Sequence, residues 1–321
     1  MDTAADKPID KKESTASRLV KLLLKIGITA LCFWYISTKI DFTKAWDALL
    51  KANWWFLLLA VFSFMFSKLL AAFRLNINFR NININLPQWN NIKLYWLGMF
   101  YNLFLPGSIS GDAYKVIALR KKYNSSYKKT TAAVLLDRFS GLLALAIILS
   151  IYGAIVLENK WWDTILIGGA IFAVAALYLV VRFLFKDFLP GFWSTFIWGM
   201  GVQIFQVICL YCILMSLHIP VHQSEWIFIF LVASVVSVLP ISLGGGLGTR
   251  EFVFVEGARF FGLDPHLGII VSLLFYLSNV LSSVWGSYFI FHDPLSPLSP
   301  GVRPPARAGT DGDDQVGRGE T

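Results

Sequence analysis

Five stretches carry no Lys, Arg, Asp or Glu: residues 139–157, 164–181, 188–224, 226–249 and 267–291. Each is near or above the roughly 18 apolar residues that suggest a membrane-spanning helix. The stretch 188–224 is long enough for one span plus part of a loop. Hydrocarbon leaves backbone N–H and C=O groups no partner but the protein itself, so such stretches must be helical. Charged residues make up 15% of the chain, against about 25% in soluble domains. Two further spans are expected at about 19–38 and 54–73, interrupted by Lys21, Lys25 and Lys68. The first two lysines can snorkel, and Lys68 lies near the inner end of its helix, close to Arg74. The expected fold is all-α, a polytopic membrane helical bundle of about 7–8 spanning helices with two Pro/Gly-broken re-entrant segments.

Those two broken segments are the chain's most informative irregularity. Leu105 to Gly111 reads Leu-Pro-Gly-Ser-Ile-Ser-Gly, and Leu239 to Gly245 reads Leu-Pro-Ile-Ser-Leu-Gly-Gly. Asp112 follows the first at once; Arg250 and Glu251 follow the second a few residues later. Irregular backbone at membrane depth must be buried in protein or line a cavity. Paired breaks in the two halves of a membrane protein point to a transport site.

Loop charge sets the expected topology. Six basic residues up to Lys25 place the N-terminus in the cytoplasm. Residues 74–93 hold three basic residues and no acid; residues 112–130 hold six and the single acid Asp112. Both loops favour the cytoplasm, so the apolar stretch 94–109 between them is expected to dip in and turn back at Pro106-Gly107. Spans are expected at 131–157, 164–181 and 193–217, another starting at Trp226 and breaking at Pro240, and a last one at 267–291. The domain expected is 19–292, with residues 1–18 and 293–321 polar and disordered. Localisation follows as the plasma (inner) membrane, multi-pass. The net charge of +8 reflects cytoplasmic loops and lipid headgroups, with no basic motif for nucleic acid. Cys209 and Cys212 have redox-motif spacing but lie within a span, where packing is the better account.

The residues that could act on a ligand cluster at the breaks. The glycines Gly244, Gly245, Gly246 and Gly248 allow sharp turns and close backbone approach, or simply close helix packing. Thr249 resembles an N-cap for a helix of about 250–261, whose N-terminus would offer N–H groups and a positive dipole end to an anion. Arg250 adds a bidentate cation suited to phosphate. Asp112 could cap a helix of 113–120, or face a cavity and pair with Arg138 or Arg250. Asp137 and Arg138, one or two turns inside a span, need partners or water. The simplest arrangement is an ion-pair network of Asp112, Arg138, Arg250 and Glu251. Pro106, Ser108, Gly111, Pro240 and Ser242 complete the candidate set. His218 and His222 flank Pro220 and read as a wet loop, not a metal site. No nucleotide, metalloprotease or nucleophile-elbow motif occurs, so no catalytic residue, metal or cofactor is expected.

At these residues the chain resembles the flippase-like membrane domain of lysylphosphatidylglycerol synthases. Pro106 to Asp112, Asp137-Arg138 opening a span, and Leu239 to Glu251 carry the resemblance, which covers roughly residues 18–291. It implies a helical bundle with re-entrant segments around a lipid-binding cavity. Full-length members move aminoacylated phosphatidylglycerol between leaflets after a separate soluble domain has made it. Relatives of the membrane domain alone are linked to hopanoids and polyprenyl-phosphate carriers. Residues 293–321 are too few for the aminoacyl-transfer domain, so synthase chemistry is not expected of this chain. The expected function is movement of a phosphate-bearing lipid between leaflets, without enzymatic activity. A lipid-modifying transferase using Asp112 or Glu251 as base, and a non-catalytic partner of an envelope-lipid synthase, are the alternatives. The expected partners are lipids with anionic headgroups; a homo-oligomer and a lipid-synthesis enzyme stay open.

Overall fold

The structure, a computed structural model, describes residues 47, 50–104, 109–238, 246 and 248–296. The expected first span, the cytoplasmic N-terminus and most of the C-terminal tail lie outside the described residues. The helices are α1 (Trp54–Asn81), α2 (Gln88–Phe104), α3 (Ser110–Tyr123), α4 (Tyr127–Val156), α5 (Lys160–Leu184), α6 (Phe192–Ser216), α7 (Ser224–Val238), α8 (Thr249–Phe260), α9 (Pro265–Val284) and α10 (Tyr288–Phe291). A 3₁₀ segment precedes α6 and another joins α9 to α10. Local chemistry fixes the ends. Asn53 caps α1 by accepting from Trp55 N–H, Asn159 does the same for Trp161 at α5, and Asp264 caps α9 ahead of Pro265. Arg120, Lys121 and Lys122 sit in the last turn of α3, where the helix dipole favours cations.

Five helical stretches among the described residues are long and apolar enough to cross a membrane: Trp54–Asn81, Tyr127–Val156, Lys160–Leu184, Lys186–Ser216 and Pro265–Phe291. The stretch beginning at Trp226, expected as a span, is different. Among the described residues its helix, α7, covers 15 residues, fewer than the roughly 20 that a crossing takes, and residues 239–245 beyond it lie outside the described residues.

Instead, α7 and α8 are the arms of a helical hairpin, with Gly257 packed against Ile229. A second hairpin joins α2 and α3, where the Gly111 N–H donates to the Asn102 side chain (2.9 Å) and Lys115 crosses Gly98. The helices that flank each Pro/Gly break therefore run antiparallel to one another.

The packing has an internal two-fold pattern. Helices α1–α4 and α6–α9 each run long, short, break, short, long. α1 packs on α6; α2 packs on α3 and α9 as α7 packs on α8 and α4; α1 touches α4 and α9 as α6 touches α9 and α4. The central pair is antiparallel: Asn53 N–H at the start of α1 donates to the Ser216 carbonyl at the end of α6 (2.8 Å). Helix α5 falls between the halves, packing on α4.

Polarity is distributed as a lipid solvent requires. Arg74, Lys115, Asp137, Arg250 and Glu251 are buried, whereas Ile171, Phe172, Phe183, Leu184 and Ile197 are exposed. Cys209 is buried in the core and Cys212 partly so, both as free thiols. Beyond α10, Leu295 is also buried, and the Asn90 amide donates to the carbonyls of Leu295 and Ser296. Residues 293–296 thus belong to the folded body.

Candidate functional site

A cavity of about 320 Å³ lies between the two hairpins. All eight helices of the two-fold pattern contribute to its wall, and α5 does not. Residues directly flanking both breaks line it: Asn102 and Asp112 around the first, Ser237 and Arg250 around the second. The first half supplies six of the charged side chains: Lys68, Arg74, Asp112, Lys115, Asp137 and Arg138. The second half supplies Arg250 and otherwise neutral polar groups such as Gln203, Gln206 and Asn279.

Most of these charges are paired. Asp137 accepts from Arg74 Nε at 2.7 Å and Nη2 at 3.0 Å, a bidentate contact between two buried side chains. Asp112 accepts from Lys115 Nζ (3.1 Å) and from Arg138 Nε. Burial pushes the Asp112 carboxyl upward, but Lys115 and Arg138 outweigh it and hold it below the usual carboxylate range. Lys68 and Arg250 have no carboxylate contact among the described residues. Each instead lies over an aromatic ring, Lys68 Nζ 4.6 Å from the Phe64 centroid and the Arg250 guanidinium 4.8 Å from that of Phe275.

Of the residues singled out from sequence, Asp112, Asp137, Arg138 and Arg250 meet at this cavity. Pro106, Ser108, Pro240, Ser242, Gly244 and Gly245 lie outside the described residues. Gly111 is at the α2–α3 crossing and away from the cavity wall. Asp112 does not cap its helix: α3 begins at Ser110, so Asp112 is already inside the first turn with its carboxylate turned to the cavity.

The expected four-residue network is not formed. Glu251 Oε2 accepts from the Gly248 N–H at 2.6 Å and Oε1 from the Ser272 hydroxyl at 2.9 Å. Glu251 therefore closes the start of α8. Gly248, at φ +86°, takes the N-cap position expected of Thr249, whose hydroxyl donates to the Gly246 carbonyl. With the Gly248 N–H occupied, the group of this helix that reaches the cavity is the Arg250 side chain.

Lys68 and Arg74 were legible only as cations at the inner end of a span. The overlooked signal is polar continuation: Arg74, Asn76 and Asn78 extend α1 well past the apolar run and are all buried.

A test separates capping from charge compensation at Glu251. Glu251→Gln can accept from Gly248 and donate to Ser272, so it should melt close to wild type in detergent. Glu251→Ala strands two buried groups, at about 1–3 kcal/mol each. Equal losses in both variants would assign Glu251 to neutralising Arg250.

A multi-pass helical membrane protein with a polar, cation-rich cavity between two hairpins is the class these features define. Within it, this chain belongs to the family described as lysylphosphatidylglycerol synthase TM region, which matches residues 22–193 and 187–286. It is similar to the UPF0104 membrane protein PH1989 of Pyrococcus horikoshii, with 28% identity over 172 residues, covering 52% of this chain and 50% of the relative. The chain thus matches about half the length of that curated relative.

Proposed function

We propose that the protein moves a phosphate-bearing lipid between the leaflets of the plasma membrane, with its N-terminus in the cytoplasm and both hairpins re-entrant. The observation that carries the reading is the charge of the cavity: five cations against two carboxylates, with Lys68 and Arg250 lacking a carboxylate among the described residues. Charge at membrane depth is expensive and marks pathways, and cations in excess call for an anion. A volume of about 320 Å³ is at the low end for ligand sites. It suits a headgroup whose acyl chains remain in the bilayer. Two broken hairpins meeting at one cavity match how transporters build a midplane site from paired repeats. Arg250 and Lys68 hold the phosphate, while Arg74, Lys115 and Arg138 stay tied to their carboxylates.

The test is leaflet accessibility of headgroup-labelled lipids in proteoliposomes. Losing a hydrogen bond to a charged group costs about 1.5–3 kcal/mol, so Arg250→Ala should slow movement about 10- to 100-fold with insertion unchanged. Unchanged movement in that variant would sink the site. Mass spectrometry of the same lipids provides the check against chemistry: a covalently altered lipid would favour the transferase reading.

A further inference from the structure

We infer that the headgroup is a dianion, a terminal phosphomonoester, and not the phosphodiester or aminoacyl ester that the family's name suggests; this rests on the transport reading above. The first observation is the charge balance of the cavity. Lys68, Arg74, Lys115, Arg138 and Arg250 face it with Asp112 and Asp137. Adding Glu251, buried beside Arg250 although turned to the α8 cap, leaves a surplus of two positive charges. A phosphodiester headgroup brings one negative charge. A lysyl ester of phosphatidylglycerol brings two ammonium groups and one phosphate, and so is a net cation. A phosphomonoester, whose second pKa is about 6, brings up to two negative charges at neutral pH.

The second observation is where the uncompensated charges sit. Phe64 and Phe275 pack edge to face with centroids 5.3 Å apart. Lys68 lies over the first ring and Arg250 over the second, so one cation from each half of the fold is held against a single aromatic pair. Cation–π contact compensates only a small part of a buried charge. It keeps both cations in place without a competing carboxylate.

The third observation is donor capacity. Arg250 Nε and Nη1 and Arg74 Nη1 are buried and have no hydrogen-bond partner among the described residues, and Lys68 Nζ adds an ammonium. Arg250 Nε and Nη1 point to different sides of the guanidinium, so together with Arg74 Nη1 and Lys68 Nζ they present donors from several directions. A monoester offers these donors three terminal oxygens, where a diester offers two and has exchanged the third for an ester link.

The experiment compares phosphatidic acid with phosphatidylmethanol, which differ by one methyl group and one charge, in wild-type proteoliposomes at pH 7.5. A long-chain prenyl monophosphate tests whether the tail matters, and lysyl-phosphatidylglycerol is the cationic arm. Phosphatidic acid should move at least about tenfold faster than phosphatidylmethanol. That advantage should shrink at pH 5.5, where the monoester protonates. Lys68→Gln should reduce the preference and Lys68→Arg restore it. Equal movement of the two lipids, lost in Arg250→Ala, would overturn the dianion assignment while transport stands. Preferential movement of the lysyl ester would also overturn it. Movement of no lipid by folded protein would overturn both readings.

Discussion

Asp137→Ala should lower the free energy of unfolding by about 3–5 kcal/mol, the range for removing one partner of a buried ion pair. The Asp137 side chain is 9% exposed and its carboxylate takes both Nε and Nη2 of Arg74, whose side chain is 6% exposed. Truncating it strands a guanidinium that cannot deprotonate and lies on a membrane-spanning helix. Arg74→Met should cost about as much by stranding the carboxylate. The double variant Arg74→Met with Asp137→Leu should recover most of the loss, because a packed apolar pair can replace an ion pair at little net cost. Asp112→Asn keeps an oxygen that can accept from its partners. Arg138, 31% exposed at the side chain, can share its charge with water, whereas Lys115, 5% exposed, cannot, so the loss should come mainly from Lys115. Unfolding in mixed micelles, followed by tryptophan fluorescence, measures the whole cycle. Additive single losses would mean that Arg74 and Asp137 act separately.

This pair also shows where reading the sequence stops. Asp137 and Arg138 are adjacent, which marks them as a charged spot inside a span but leaves their partners open. A helix turns about 100° per residue, so neighbouring side chains diverge: Asp137 reaches Arg74 on α1 and Arg138 reaches Asp112 on α3. Sixty-three residues separate Asp137 from Arg74, and no local pattern joins them.

The long apolar helices were legible because hydrocarbon imposes one rule on every residue in a span. Helix α7 is described up to Val238, just before the expected break at Pro240, which lies outside the described residues. Arg250 was found by its place after the glycine run. The hydrogen-bond partners of Glu251, a backbone N–H three residues back and Ser272 on α9, become visible only in three dimensions.

The internal repeat is legible at its two breaks and little elsewhere. Position by position the halves differ in charge, with one carrying six charged groups into the cavity and the other one. A shared backbone architecture with unequal side chains suits a site that binds one asymmetric headgroup.

Gly111→Ala is the backbone counterpart of these charge variants and should disrupt the first hairpin outright. A methyl group at Gly111 would meet the Gly98 carbonyl oxygen at 1.8 Å and the Gly98 carbon at 2.6 Å. Both obstacles are backbone, so no rotamer change relieves them and α3 must separate from α2. Overpacking a core typically costs 1–3 kcal/mol and occasionally more; here the loss should reach the top of that range. Separation would also carry Asp112 and Lys115 away from the cavity wall, so the variant should lose lipid movement even where enough folded protein survives to assay. Gly168→Ala is the matched control. Nothing lies within 4 Å of a methyl group there, and alanine is favoured over glycine in a helix by roughly 0.8–1.0 kcal/mol. That variant should melt at or slightly above wild type and transport normally. Equal melting of Gly111→Ala and Gly168→Ala would show that the hairpin arms can part freely, and that the cavity does not depend on their contact.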